Sequence, residues 1–352
     1  MNSPYIIDPS DTIAKMCSES GRFLEDDYYM AMSHNEVPEN YWKKVNNAES
    51  THRKIVIVGS QESPMAITKS AFLALTLAKP DKLTVKINTH DEAILLKEMY
   101  TQNRKIHECD FSVYHTKKQE LASSGAWLRD LEDSTDIVVF GSLETLLLFD
   151  METTQKHNFY LRKPKISLGI VTKECLNNED NLAGLAGDFL SFFGEGRLAP
   201  KFYITLGKLS KDQMTYIADC MRNEEEIIKE FRTKLPLSKK SLLIQENTYS
   251  NYIYPHIKKS TFDNPEFLAP LFGDVRLIEV QHEGQIEEFL EEYAIAVSTI
   301  ALEEDTLGDM AAGWEFDIPR YCNIGSMQFP YFYEPVDEID DIEIFNKNLD
   351  IF

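Results

Sequence analysis

The stretch Arg53-Lys-Ile-Val-Ile-Val-Gly59 decides the fold class of this 352-residue chain. Its apolar core is β-branched and uninterrupted, which is typical of a strand buried on both faces of a parallel sheet. Gly59 ends the strand, a turn follows through Ser60-Gln-Glu-Ser-Pro64, and apolar residues recur at helical spacing from Met65 to Ala78. The sequence therefore predicts a strand, a turn and a helix as the first unit of an alternating pattern.

The same alternation continues along the chain. Further strands are predicted at Lys82–Ile87, Phe111–His115, Asp136–Gly141 and Ile166–Val171, with helices at His90–Tyr100 and Gln119–Leu131. Later segments are predicted as a helix at Glu179–Phe193, strands at Phe202–Leu206, Val275–Val280 and Ala294–Ile300, and a long helix from an N-cap at Ser210 to Phe231. Alternation of this kind produces right-handed crossovers and mostly parallel sheets. We predict an α/β fold with a doubly wound parallel sheet and a second α/β domain.

We expect four regions along the chain. A helical or irregular segment covers residues 1–50, a nucleotide-binding type of domain covers 51–187, and a catalytic type of domain covers 188–330. Residues 331–352 are rich in Asp and Glu and are predicted to form an acidic tail that is solvated or contacts a partner.

Composition excludes several classes of protein. The chain carries 36 Lys and Arg against 58 Asp and Glu, a net charge of −22, which disfavours binding to the phosphates of nucleic acid. Its five cysteines are widely spaced and lack a CxxC pair, so neither a disulfide framework nor a zinc site is expected. No segment has the roughly 20 apolar residues that cross a bilayer, and the amino terminus lacks the pattern of a secretory signal. We therefore expect a cytoplasmic protein without a membrane span.

Candidate cofactor contacts follow the predicted strands. Ligands of doubly wound sheets lie beyond the carboxyl ends of the strands, where backbone amides and helix starts face outward. Candidates at these ends are Ser60, Pro64, Lys86, Gly141, Ser142 and Glu144. No GxGxxG motif follows any of these strands, so any nicotinamide cofactor would have to be held without the usual Rossmann fingerprint.

A second candidate site is the loop Gly194-Glu-Gly196-Arg197, between a predicted helix and strand. Two readings stay open for its glycines: a helix cap and turn, or a small-residue loop that lets a ligand approach backbone amides. Ser298 and Thr299 lie in an apolar strand and are predicted as core rather than as nucleophiles.

Three segments together resemble the fatty-acyl-CoA reductase family of the bacterial bioluminescence operon, a LuxC-like branch of the aldehyde dehydrogenase superfamily. The matching runs are Asp136–Thr145, Leu185–Pro200 and Arg320–Pro330, in the order and approximate spacing of the family. The resemblance implies NADPH as cofactor and an acyl thioester that is reduced to an aldehyde. In that chemistry a cysteine thiolate attacks the thioester, a thiol leaves, and NADPH delivers hydride to the acyl group on the enzyme.

By this resemblance, the position of the nucleophilic cysteine holds Arg197, and Gly194, Gly196 and Arg197 form the substrate loop. Arginine cannot form an acyl-enzyme, because its guanidinium stays protonated and has no lone pair to offer a carbonyl carbon. It can instead bind an anion such as a phosphate or carboxylate. No catalytic residue is assigned with certainty, and no metal ligand is expected.

Three hypotheses follow. The chain binds NADPH and an acyl thioester without acyl-enzyme chemistry, as a pseudoenzyme beside an active reductase or an acyl-activating enzyme. Alternatively, it is an active reductase in which Cys175 or Cys322 reaches the pocket, or in which hydride passes directly to a bound carbonyl. The third hypothesis is an interaction scaffold that uses its acidic surface. A homodimer is expected by analogy with the superfamily.

Overall fold

The structure is a computed structural model that describes residues 50–59, 66–87, 90–104, 107–115, 131, 134–141, 155–162, 165–191, 198–217, 219, 257–260, 275–303, 313–330, 334 and 344–345. The chain divides into two compact units. The described residues between 50 and 162, with 334, 344 and 345, belong to the first unit, and those between 165 and 330 belong to the second. No helix within these ranges is long and apolar enough to cross a membrane.

The first unit is built on a five-stranded parallel sheet. Its strands are β1 (Lys54–Gly59), β2 (Lys82–Ile87), β3 (Asp110–His115), β4 (Asp136–Phe140) and β5 (Asn158–Arg162). They lie in the order β3-β2-β1-β4-β5, and every pair is parallel. A central β1 with neighbours added on both sides is the doubly wound arrangement that the alternating sequence predicts.

Both faces of β1 are buried. Ile55 and Ile57 pack in a large core with helix α1 (Ala66–Leu73), which continues as a π-helix over Ala74–Ala78. Val56 and Val58 pack on the opposite face, in a second cluster with strand β4. The uninterrupted apolar run of β1 is thus explained by burial on two sides. Helix α2 (His90–Asn103) contributes Leu96 and Met99 to the first core.

Two residues of the predicted acidic tail return to the first core. Ile344 and Phe345 are buried there, and the guanidinium of Arg53 donates hydrogen bonds to the carbonyls of both, at 3.1 and 3.4 Å. The expectation of a solvated tail is therefore wrong for this part of it. The prediction rests on charge, and the residues around this Ile-Phe pair include many acidic ones, so the pair gives no signal of burial.

The second unit contains a six-stranded parallel sheet. Its strands are β6 (Ile166–Thr172), β7 (Pro200–Leu206), β8 (Ile257–Ser260), β9 (Val275–Val280), β10 (Val297–Leu302) and β11 (Arg320–Asn323). Their order is β11-β10-β6-β7-β9-β8, again with every pair parallel. The predicted α/β class with parallel sheets is confirmed in both units.

Helix α3 (Glu179–Leu190) connects β6 to β7 and packs on one face of the second sheet. It begins at Asn178, whose side chain accepts a hydrogen bond from the Asp180 amide at 2.8 Å, an N-cap. Since β6 and β7 are parallel, α3 runs from the carboxyl ends of the strands back to their amino ends. Helix α4 (Gly284–Tyr293) packs on the other face through Ile286, Phe289 and Leu290.

Most predicted elements coincide with observed ones, but strands β5, β8 and β11 and helix α4 are absent from the prediction, and one predicted strand begins later than expected. Strand β5 is absent from the prediction because it lies at the sheet edge and only its last residue is fully buried, which leaves a weak apolar pattern. The strand predicted from Ala294 begins at Val297, after a single 3-10 turn. The predicted Ser210 cap is confirmed: its hydroxyl accepts from the Gln213 amide at 3.1 Å. Most of the helix predicted to reach Phe231, the helix at 119–131 and the segment at 1–49 lie outside the described residues.

Candidate active site

The carboxyl edge of the first sheet brings together the ends of β1, β2 and β4. Gly59 pairs with Ile87 on one side and with Phe140 on the other. Two predicted cofactor contacts lie at this edge and are described, Lys86 and Gly141. The other four, Ser60, Pro64, Ser142 and Glu144, lie outside the described residues.

Strand β1 ends at Gly59, and helix α1 can pack closely on the strand because this residue is a glycine. A Cβ atom at this position would lie 2.0 Å from Cδ1 of Ile67, so a larger residue would push the helix away from the strand. This close approach of strand and helix is the packing role that a glycine takes in dinucleotide-binding turns. The close packing of β1 against α1 is therefore present although the GxGxxG pattern is absent.

Lys86 lies one residue before the end of β2. Its ammonium group is 5.8 Å from the centre of the Tyr114 ring on β3, and burial lowers its pKa to about 8. The side chain is therefore still mostly protonated at pH 7. In dinucleotide-binding folds, an acidic residue in this region of the sheet binds the 2′-hydroxyl of NAD, and a basic one accommodates the 2′-phosphate of NADP. A lysine here fits a ligand that carries that phosphate.

Gly141 follows β4 directly and is buried. Its amide donates a hydrogen bond to the carbonyl of Arg162 at 3.2 Å, which extends the pairing of β4 with β5. This amide is therefore occupied by the sheet and is not directed to a phosphate in this structure.

The second unit holds a buried polar cluster at the amino edge of its sheet. Its centre is Asp188, on the last turn of α3 and closed off from solvent. The carboxylate accepts hydrogen bonds from the Tyr203 hydroxyl at 2.6 Å, the Gly325 amide at 2.8 Å and the Met327 amide at 2.9 Å. Burial raises the pKa of Asp188 to about 6, although these hydrogen bonds and the charge of Arg320 act in the opposite direction. The group is thus largely ionised at neutral pH.

Gln328 and Arg320 complete the cluster. The Gln328 amide nitrogen donates to the carbonyls of Asp188 at 2.8 Å and Ser191 at 2.6 Å, which fixes the end of α3. The Arg320 guanidinium donates to the carbonyls of Met327 at 2.7 Å and Ser326 at 2.9 Å. The side chains of Asp188 and Gln328 thus each hold the backbone of the other's segment, and Arg320 holds the backbone of its own.

This cluster joins two of the three runs on which the family resemblance rests. Asp188 belongs to the run at 185–200, and Gly325, Met327 and Gln328 belong to the run at 320–330. Sequence reasoning names both runs but gives no signal that Asp188 is their link, because one aspartate among many acidic residues is not distinctive. Gly194, Gly196 and Arg197 lie outside the described residues. The residues on either side of them, Ser191 and Leu198, are described.

Cys175 does not fit the role of a replacement nucleophile. It lies just after β6, at the carboxyl edge of the sheet, whereas Ser191 and Pro200 lie at the amino edge. Helix α3 separates the two edges by its length of about 18 Å. Burial and the nearby carboxylate of Glu303 raise the pKa of the Cys175 thiol to about 12, so the reactive thiolate is scarce at neutral pH.

Cys322 lies on β11 and is half-buried, and Cys109 lies in the first unit, where burial raises its pKa to about 11. Over the ranges described, no three His, Cys, Asp or Glu side chains are grouped to hold a metal ion.

Comparisons with known proteins match the fold but no sequence family. No protein-family model matches the chain, and no curated protein matches it. Proline utilization A from Corynebacterium freiburgense has a TM-score of 0.59 at 15% identity, over 90% of this chain and 36% of that one. An oxidoreductase from Marinobacter aquaeolei has a TM-score of 0.63 at 11% identity, over 95% and 78%. An NAD-dependent aldehyde dehydrogenase from Sinorhizobium meliloti has a TM-score of 0.61 at 10% identity, over 95% and 74%.

These similarities establish an aldehyde-dehydrogenase-like α/β fold. The chain spans only about a third of the proline utilization protein and about three quarters of the other two. At identities of 10 to 15%, the similarity shows the fold alone. Substrate and catalysis have to be inferred from the residues of this chain.

Proposed function

We propose that this protein binds a nicotinamide dinucleotide, NADPH in preference to NADH, together with an acyl thioester or the corresponding aldehyde, without forming an acyl-enzyme. The observation that carries the proposal is the position of Lys86, near the carboxyl end of β2 and paired with β1 at the centre of the sheet of an aldehyde-dehydrogenase-like fold. A solved structure of this fold is described as an NAD-dependent aldehyde dehydrogenase, which supports a nicotinamide cofactor.

The first unit supplies the groups that would hold the dinucleotide. Gly59 allows strand β1 and helix α1 to approach each other closely, and Lys86 provides a cation for the 2′-phosphate. When bound, NADPH supplies a hydride for reduction of a carbonyl carbon. The partly buried ammonium group of Lys86 selects the phosphorylated cofactor, because a charge-assisted hydrogen bond is stronger than a neutral one.

The second unit supplies the substrate side of the proposal. The resemblance assigns the acyl-binding loop to residues 194–197, and the cluster around Asp188 fixes the backbone at Ser191, just before that loop. By the resemblance, Arg197 stands in the position of the nucleophile, and Cys175 lies at the edge of the sheet opposite to that of Ser191 and Pro200. The proposal is therefore a binding protein or pseudoenzyme that acts beside an active reductase or an acyl-activating enzyme.

Titration of the purified protein with NADPH and NADH, followed by cofactor fluorescence, tests the first part. We expect saturable binding with NADPH at least tenfold tighter. Incubation with NADPH and octanoyl-CoA then tests the second part. We expect binding of octanoyl-CoA without release of octanal, and robust aldehyde formation would show that the protein is an active reductase.

A further inference from the structure

The pairing of strand β6 with each of its two neighbours, β10 and β7, shifts register next to Ser167. On one side the pairs run from Val297–Ile166 to Thr299–Ser167, which leaves Ser298 as an extra residue. On the other side the pairs run from Ser167–Pro200 to Leu168–Phe202, which leaves Lys201 as an extra residue. Such bulges redirect side chains and are over-represented next to active sites. Ser167 thus lies between two of them.

Ser167 belongs to one row across the sheet. Thr299 pairs with Ser167 on one side and with Arg320 on the other. Paired residues of neighbouring strands project to the same face, and alternate residues of a strand share a face. Thr299 therefore shares a face with Ala301, which packs in the cluster with Leu185 of α3. This is the face that also carries the Asp188 cluster.

The hydroxyls of this row lack hydrogen-bond partners. Within the part of the chain that the structure describes, Ser167 Oγ and Thr299 Oγ1 are buried and unpaired, and Oε1 of Gln328 is also unpaired. All three residues are more than nine-tenths buried. Ser298, the extra residue of the first bulge, carries a fourth unpaired oxygen.

Two other buried hydroxyls among the described residues are hydrogen-bonded. Thr205, on β7 in the same sheet, donates to the carbonyl of Ile278 at 3.3 Å, and Thr76 donates to the carbonyl of Phe72 at 2.8 Å. An unpaired buried polar atom is costly and uncommon, so several at one edge require an explanation. Their position is informative, since Gln328 also holds Ser191 and Ser167 pairs with Pro200, and these two residues flank in sequence the segment that contains Arg197.

We propose that Ser167 and Thr299 bind the carbonyl oxygen of the acyl thioester. We further propose that Oε1 of Gln328 accepts a hydrogen bond from the amide N–H in the thiol portion of the same thioester. This inference rests on the proposed function. Two hydroxyl donors match a carbonyl acceptor, and the remaining acceptor matches an N–H donor on the same ligand. A thioester of a cysteamine-type thiol carries both groups, separated by the sulfur and two methylenes. Because the atoms are shielded from solvent, the side chains that cover them shift when the ligand binds.

Two variants test the carbonyl contact, Ser167→Ala and Thr299→Val. Binding of octanoyl-N-acetylcysteamine is measured by calorimetry, beside NADPH binding and urea unfolding. Loss of one neutral hydrogen bond weakens binding by about tenfold at most, so each variant should lose about three- to tenfold in affinity and the double variant more. NADPH affinity should stay unchanged. The midpoint of unfolding in urea should stay or rise, because each change removes an unpaired buried hydroxyl.

Thr205→Val is the matched control, since it makes the same change in the same sheet at a satisfied hydroxyl. It should lower the unfolding midpoint and leave thioester affinity intact. The contact to Gln328 is tested on the unaltered protein with S-ethyl octanethioate, which lacks the amide and should bind several-fold more weakly than octanoyl-N-acetylcysteamine.

The outcomes separate the two proposals. If the unaltered protein binds NADPH but neither octanoyl-N-acetylcysteamine nor octanoyl-CoA, the proposed substrate is wrong and this inference falls with it. If it binds them and both variants bind equally well, the inference alone is overturned. Equal affinity for the two octanoyl thioesters overturns the assignment of Gln328.

Discussion

Asp188 shows how one side chain can connect distant segments of a chain. Its carboxylate receives the amides of Gly325 and Met327, 137 and 139 residues further along, and a hydroxyl from β7. Three hydrogen bonds compensate in part for removing the charge from water. Burial is the larger effect, since the pKa is raised to about 6.

The Asp188→Asn variant tests this balance. A carboxyl whose pKa is higher in the folded state than its model value of 3.8 binds more protons when folded, so its contribution to stability increases as the pH falls through about 6. The wild type should therefore gain stability relative to Asp188→Asn between pH 7 and pH 4, on the order of 2–3 kcal/mol. Urea unfolding at both pH values measures this difference. Parallel stability curves would contradict the raised pKa.

Lys86 gives a prediction about cofactor choice. Its pKa of about 8 means that the ammonium loses its proton as the pH rises from 7 to 9, and attraction to the 2′-phosphate is lost with it. NADPH affinity should fall over this interval, whereas NADH affinity should change little. Lys86→Gln should weaken NADPH binding about tenfold or more at pH 7, since a hydrogen bond to a charged group contributes about 1.5–3 kcal/mol.

Lys82→Gln is the control for Lys86. Lys82 lies at the other end of β2, exposed and 3.4 Å from a carboxylate oxygen of Asp110. It should retain the affinity and the pH dependence of the wild type. Equal losses in the two variants would indicate a general effect of charge rather than contact with the phosphate.

Lys86 and Asp188 also differ in how far the sequence predicts them. Lys86 lies next to the end of a strand that its apolar pattern predicts, and the ends of parallel strands are where ligands bind, so the residue can be named in advance as a candidate. Asp188 has no such local signal, because its partners come from a segment more than 130 residues away. Ser298 and Thr299 are predicted correctly as buried, but only the structure shows that their hydroxyls, and that of Ser167, lack partners among the described residues.

At the scale of elements, the contact of β6 with β7 depends on a glycine. A Cβ atom at Gly169 would lie 2.0 to 2.3 Å from atoms of the Tyr203 ring. That ring cannot easily move, because it is fully buried and its hydroxyl is bonded to Asp188. Gly169→Ala should therefore destabilise the fold by about 1–3 kcal/mol, as over-packing does in other cores, or more. Urea unfolding measures the loss.

Gly187→Ala is its counterpart on helix α3. Among the residues that the structure describes, no atom outside the backbone of the helix itself lies within 4 Å of a Cβ built at this position, so the added methyl meets none of them. Alanine in a helix is favoured over glycine by about 1 kcal/mol, and the variant should be more stable than the wild type. A loss of stability comparable to that of Gly169→Ala would contradict the packing described for α3.

Elements are predictable where burial leaves a clear pattern. Strand β1 is buried on both faces, and its run of Ile and Val predicts it to within one residue. Strand β5 is mostly half-exposed, so its residues resemble those of a loop. Ile344 and Phe345 belong to the first core, yet the acidic residues around them suggest a tail. Local composition thus fails where an element is stabilised by distant contacts.

At the scale of the whole molecule, two parallel-sheet units form an aldehyde-dehydrogenase-like fold at 10 to 15% identity to solved structures. The alternation of strands and helices predicts the class because each parallel crossover requires it. The chemistry is not predictable in the same way, since one residue type at one position decides whether an acyl-enzyme forms. Arg197 is that residue in the proposed function.

Intact-protein mass spectrometry after incubation with octanoyl-CoA tests this proposal most directly, on the wild type and on Arg197→Cys. The wild type should keep its unmodified mass, because the buried Cys175 is protonated at neutral pH. Arg197→Cys should gain the mass of one octanoyl group that is discharged when NADPH is added. An octanoyl adduct on the wild type, or none on an Arg197→Cys protein that still binds octanoyl-CoA, would contradict the assignment of Arg197 to the nucleophile's position.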